Sequence, residues 1–113
     1  MLLPKHTRII IINKPINARL GIPGMMNLLF SNAFELLWDG VEPITVVAFN
    51  LKQRMCKILT VDDNGITCSN RVLRQGRFQY MLRHELIPTA IRRCELEALL
   101  QEGTIKRFNR QKL

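Results

Sequence analysis

Hydrophobic residues fall along the chain in short blocks whose spacing changes from one block to the next. Arg8-Ile9-Ile10-Ile11-Ile12 is a β-branched run that stops at Asn13-Lys14-Pro15. Its length and the turn residues after it predict a buried strand, not a helix. Pro15 through Gly21 are expected to be irregular, because proline pushes the residue before it out of helical space. From Ile22 to Leu37 the polar positions 24, 27, 31 and 35 form one stripe at helical spacing. Met25, Met26, Leu28, Leu29, Phe34 and Leu36 cover the rest, which predicts a largely buried helix. Pro23 sits in its first turn, where the missing N–H costs nothing, and the methionines read as adaptable core filler. Trp38-Asp39-Gly40 closes this helix.

Beyond Pro43 the pattern turns to strands. Ile44–Phe49 is rich in β-branched residues, and Met55–Val61 and Ile66–Leu73 flank Asp62-Asp63-Asn64-Gly65. Asn-Gly between two such runs predicts a hairpin whose two loop residues both take positive φ. In that register Leu59 faces Asn70, Val61 faces Cys68 and Lys57 faces Val72. One face then carries Leu59, Val61, Ile66, Cys68 and Val72 toward the core. Thr60, Thr67, Ser69 and Arg71 face solvent or a ligand. Cys56 and Cys68 fall on opposite faces and cannot be bridged. Gln75-Gly76 turns the chain, and Arg77–Leu82 reads as a further strand. Thr89 is the expected N-cap of a helix over Ala90–Glu102, with Leu96, Leu99 and Leu100 inward and Gly103 as its left-handed C-cap. Thr104–Leu113 reads as a frayed basic tail. The pattern as a whole predicts one α+β domain over residues 1–104 with a basic tail over 105–113. Its sheet is mostly antiparallel with about five strands, and two helices pack on it.

Composition narrows the function classes. A chain of 113 residues suits one domain, and 47% hydrophobic with 23% charged residues excludes wholesale disorder. No apolar run approaches the ~20 residues that cross a bilayer, so no membrane is expected as a partner. Met1–Lys5 lack the apolar stretch of a signal peptide, and the three cysteines, Cys56, Cys68 and Cys94, lack C-x-x-C spacing. Free thiols in a reducing cytoplasm follow as the expectation. The net charge of +8 is segregated: +4 over residues 1–21, −3 over 22–49, +6 over 50–93, −3 over 94–103 and +4 over 104–113. Such blocks suggest one surface that faces a polyanion, against the plainer alternative of a solvated basic rim.

Catalytic chemistry finds little support. Asp62-Asp63 is the only adjacent carboxylate pair, but aspartates before Asn-Gly are ordinary turn residues. His6 and His84 have no second ligand at metal spacing, and Cys94 at a helix start has no partner base in the sequence. No phosphate-binding glycine loop occurs. No metal and no cofactor is implied, and the chain is expected not to be an enzyme. The cations are more informative. Arg71, Arg74 and Arg77 surround the Gln75-Gly76 turn, and Lys52, Arg54 and Lys57 stand at the start of the preceding strand. The predicted hairpin brings these two ends together, with Arg54 near Arg74 or Gln75. Like charges so gathered repel unless an anion separates them, and the guanidinium fork suits phosphate oxygens. The alternative is a sheet edge defended by charge.

These same residues carry a resemblance. Val61-Asp62-Asp63-Asn64-Gly65 followed by Arg71-Val72-Leu73-Arg74-Gln75-Gly76-Arg77-Phe78 resembles the pattern W-D-x-D-G then K-R-L-x-x-G-R-F. That pattern belongs to the small accessory protein, often called TnpB, of the IS-sixty-six type of bacterial insertion sequences, and it is distinct from the RNA-guided nuclease of the same name. Lys57-Ile58-Leu59 is similar to the family's K-I-L. Asn17–Gly24 is similar to its D-M-R-K-G-x-x-G segment, matching at Arg19, Gly21 and Gly24, and Leu96–Gly103 to its L-x-x-L-L-x-G ending. Asn17, Leu20, Val61, Val72 and Arg74 depart from it. The resemblance spans about residues 7–104 and implies a transposition accessory factor whose partners are element-end DNA, the element's transposase, or both. Strand-transfer chemistry would then lie in the separate transposase. The expected nucleic-acid contacts are Arg77, Arg71, Arg74, Lys57, Arg54, Lys52 and Arg19. An adaptor that touches only the transposase is the alternative, and a small metal-dependent nuclease is least favoured. The oligomeric state is not legible in the sequence.

Overall fold

The structure is a computed structural model that describes residues 3, 7–12, 14–78 and 89–106. Seven elements follow in chain order: β1 (Arg8–Ile11), α1 (Ile22–Phe30), β2 (Ile44–Phe49), β3 (Met55–Val61), β4 (Ile66–Val72), β5 (Thr89–Ile91) and α2 (Arg93–Glu102). The strands form one sheet in the order β4-β3-β2-β1-β5. Only β1 and β2 run parallel, joined by the crossover that holds α1; the other neighbours are antiparallel. This is the expected α+β architecture with its five-stranded, mostly antiparallel sheet.

The two helices do not share a face. Met25 and Leu29 of α1 pack with Ile10, Ile12, Ile44, Val46, Ala48 and Leu59, whereas Leu96 and Leu99 of α2 pack with Ile9, Ile11, Val47, Phe49, Cys56 and Ile58. Alternate residues of one strand therefore feed opposite cores. That is why β2 is buried at every position and reads as a continuous apolar run. Cys56 and Cys68 fall in opposite cores, as expected, and all three cysteines are free.

Three elements differ from the sequence pattern. α1 ends at Phe30, not Leu37. Asn32 adopts φ 60°, its N–H reaches the Leu29 carbonyl and the Ala33 N–H reaches back to Leu28, a Schellman closure with asparagine in the left-handed position. Phe34 and Leu36 still enter the core, but from an irregular segment in which Glu35 is also left-handed. Thr89 belongs to β5, whose three residues pair with Ile9–Ile11, and α2 starts after it. Its N-cap is Arg92, and Glu95 accepts the Arg92 backbone N–H. Gly103 caps α2 at φ 76° as expected. Arg77 and Phe78 lie outside any strand, and the rest of the strand expected over 77–82 lies outside the described residues, as do His6, His84 and residues 107–113. Ile105, which the charge pattern groups with the tail, is buried in the α2-side core.

Candidate nucleic-acid interface

The β3–β4 hairpin is two residues out of the expected register. Val61 pairs with Ile66, Leu59 with Cys68 and Lys57 with Asn70, so the loop is Asp62–Gly65. A shift of two keeps every side chain on its expected face, because the strand period is two. Ile66 and Val72 are nevertheless exposed on the edge strand instead of reaching the core, and Thr60 is buried because both faces of the sheet are covered. The turn chemistry is different, however. Neither Asn64 nor Gly65 takes positive φ; the Asp62 carboxylate instead accepts the N–H groups of Asn64 at 2.8 Å and Gly65 at 2.9 Å. Asp62 is thus the residue that shapes this turn.

At the other end of the same strands, Asn50 organises the β2–β3 turn. Its Oδ1 accepts the N–H groups of Arg54 at 3.0 Å and Met55 at 3.1 Å. Lys52 and Arg54 project from that turn. Past β4 the chain folds onto it: the Leu73 N–H donates to the Arg54 carbonyl at 3.1 Å and the Phe78 N–H to the Gln53 carbonyl at 2.7 Å. Phe78 then anchors beneath, 5.4 Å from the Phe49 ring. Between these two anchors lie Arg74, Gln75, Gly76 and Arg77, with Gly76 at φ 78° and open space above it. The β1–α1 connection reaches the same end, since the Ile16 N–H donates to the Phe49 carbonyl, and it carries Arg19.

The cations gathered there are of three kinds. Arg19, Lys52, Arg54, Arg74 and Arg77 are exposed and form no ion pair with any described residue. Arg71 is exposed but tethered, its Nε donating at 2.9 Å to the Leu100 carbonyl in the last turn of α2, where a cation meets the negative end of the helix dipole. Lys57 is only 3% exposed and lies on the α1 face of the sheet, with its Nζ bonded at 2.7 Å to Asn70 Oδ1. It stands apart from the surface set. Lys14 reaches the same end but is matched by Glu35 at 3.0 Å.

Acids are segregated from this cluster. Asp39 and Glu42 precede β2 and Asp62 and Asp63 follow β3, so all four lie at the opposite end of the sheet. Asp39 is held below the usual carboxylate range by the N–H groups of Glu42 and Val41. Among the described residues two acids reach the basic end, Glu35 through its pair with Lys14 and Glu102 in the last turn of α2. The end of the sheet that carries the β2–β3 turn is therefore strongly basic, whereas the opposite end mixes these acids with Arg8, Arg92 and Arg93. The edge-defence explanation fits poorly, because Ile66 to Asn70 of the open strand β4 carry no charge and the cations lie beyond its end.

No group of three His, Cys, Asp or Glu that could hold a metal occurs among the described residues. No helix among them is long and apolar enough to cross a membrane. Comparison with protein-family models, with curated proteins and with solved structures gives no match to this chain.

Asn50 and the Leu100 carbonyl escape a reading of the sequence, whereas Asp62 is read there as a turn residue but not as the acceptor that lengthens the loop. Asn50 leaves a trace, an asparagine at the end of an apolar run, but the carbonyl contact of Arg71 depends on where α2 ends in space.

Proposed function

We propose that this protein is a non-enzymatic accessory factor of DNA transposition in the bacterial cytoplasm, which holds DNA phosphates at its basic end and works beside the transposase of its element. The observation that carries the DNA contact is the set of exposed cations without an ion pair among the described residues, Arg19, Lys52, Arg54, Arg74 and Arg77, that the β2–β3 turn, the post-β4 segment and the β1–α1 connection hold at one end of the sheet. Their carriers are laced by backbone hydrogen bonds, so the charges are pre-positioned instead of being gathered on binding. Phosphate relieves their mutual repulsion, and arginine offers it two donors at once. Arg77 is the leading contact, next to the open backbone of Gly76.

The link to transposition rests on the resemblance of Lys57–Leu59, Val61–Gly65 and Arg71–Phe78 to the TnpB-type pattern. A nuclease role is disfavoured because the Asp62 carboxylate is engaged in shaping its own turn. The same basic end supports a second reading, in which it meets an acidic surface of the transposase and touches no DNA.

A pull-down with the element's own transposase, with and without its end DNA, together with a duplex-binding titration at low salt, tests the proposal. Salt-sensitive duplex binding and transposase capture that strengthens with end DNA are expected. Transposase capture without any duplex binding would leave the adaptor reading standing, and neither would overturn both.

A further inference from the structure

β4 is an edge strand that pairs with β3 over all seven of its residues and with nothing on its other side among the described residues. Its hydrogen bonding can be assigned. The Asp62 N–H donates to the Gly65 carbonyl and the Leu73 N–H to the Arg54 carbonyl, so the odd-numbered residues of this strand bond to β3. The N–H and C=O groups of Ile66, Cys68, Asn70 and Val72 consequently point outward. None of the usual guards lies along this row: no proline, no bulge and no charge before Arg71. Ile66 is 40% exposed and Val72 64% exposed, one at each end of the strand.

We propose that two copies of this chain pair through β4, antiparallel about a two-fold axis at Ser69, to form one continuous sheet. This pairing borders the Arg74–Arg77 segment of the proposed DNA contact but does not rest on that reading. The register is chosen by the strand itself. With Ser69 on the axis, Ile66 lies opposite the second copy's Val72 and Cys68 opposite its Asn70. Every outward N–H and C=O of the strand then meets a partner, which no shifted register achieves. The two exposed aliphatic side chains cover each other twice, on the same sheet face. Charge agrees with the geometry. Antiparallel pairing sets the Asp62-Asp63 turn of one copy beside the Arg74–Arg77 segment of the other, so opposite charges meet at both ends of the paired strands. A parallel contact would bring like ends together.

A single strand pair is a small interface, so a reversible dimer is expected, with a dissociation constant on the order of 1–100 µM. Sedimentation velocity of the full chain over a concentration series should show the mass rising from one chain toward two, less so at high salt. Val72→Lys should abolish the rise, and Ile66→Glu/Val72→Lys together should restore it, since the new charges face each other across the axis. In a Cys94→Ser background, Ser69→Cys should form an intermolecular disulfide under mild oxidation, because facing residues at a non-hydrogen-bonded pair stand about 4.5 Å apart at Cα. The native Cys68 should not, as its counterpart lies diagonally away, beyond bridging range. A single-chain mass at every concentration, a dimer indifferent to Val72→Lys, or cross-linking through Cys68 in place of position 69 would each overturn the proposal.

Discussion

Replacing Asp62 by alanine removes the acceptor that closes the β3–β4 turn. Two backbone N–H groups, those of Asn64 at 2.8 Å and Gly65 at 2.9 Å, lose their partner while the Asp62–Gly65 backbone bond at 3.0 Å remains. The turn is exposed, so water takes over both donors and the cost resembles that of deleting a helix N-cap, about 1 kcal/mol and no more than about 2. For a chain of this size that corresponds to roughly 3–6 °C in Tm. Asp62→Asn keeps an Oδ1 acceptor and should lie within about 0.5 kcal/mol of the natural protein. Gly65→Val is the discriminating partner. Gly65 has no positive φ and no atom within 4 Å of a built Cβ, so valine should cost under about 0.5 kcal/mol. Thermal and urea melts followed by circular dichroism measure all three. A type I′ turn with left-handed Asn64-Gly65 demands the reverse ranking, Gly65→Val severe and Asp62→Ala harmless. That ranking would refute the turn described here.

Lys57→Met should leave DNA affinity unchanged in an anisotropy titration, because the Lys57 amine is spent on Asn70 beneath the sheet surface. Its stability should change by less than about 1.5 kcal/mol, as the shape is kept and Asn70 is open to water. Gly103→Ala should destabilise by about 1 kcal/mol or more in the same melts, since φ is 76° and a Cβ would stand 3.3 Å from Leu73. Burial pushes the Cys56 thiol up to about 12 from an ordinary 9.0. The unfolded chain therefore releases this proton first, and stability should be full below about pH 9 and decline from there toward pH 12. Cys56→Ala should decline less steeply over that window. A thiol reagent should label the exposed Cys94 in the folded protein and reach Cys56 only on unfolding.

Local signals carried the strands. Ile44–Phe49 and Met55–Val61 form over the residues that the β-branched runs delimit, because each run is bounded by turn residues. Helix and turn boundaries were less legible. Positions 24, 27, 31 and 35 keep helical spacing through a segment that is not helical beyond Phe30, because asparagine at 32 accepts the left-handed conformation that ends the helix. Asn-Gly in the hairpin suggested a two-residue loop, yet Asp62 bonds two donors and draws the loop out to four residues, keeping all faces and moving every pair. β5 was invisible because three residues gain their strand character from β1, some eighty positions away in sequence. At the basic end, the meeting of Lys52 and Arg54 with Arg74 and Arg77 was legible, since any hairpin joins those segments. So was the position of Lys57 on the apolar face, by strand alternation, but its bond to Asn70 and the tether on Arg71 were not. They depend on Asn70 and on the carbonyl of Leu100, whose positions follow from register and from the docking of α2.

The central claim is that the cations beyond β4 hold phosphates. It is tested most directly by titrating labelled duplex DNA with the natural protein and with Arg77→Ala over a series of salt concentrations, with melts verifying that both are folded. Arg77 is exposed and makes no ion pair with any described residue, so its loss should spare the fold. The account predicts weaker binding to all sequences alike, and a slope of log K against log salt smaller by roughly 1. An unchanged slope and affinity would contradict it.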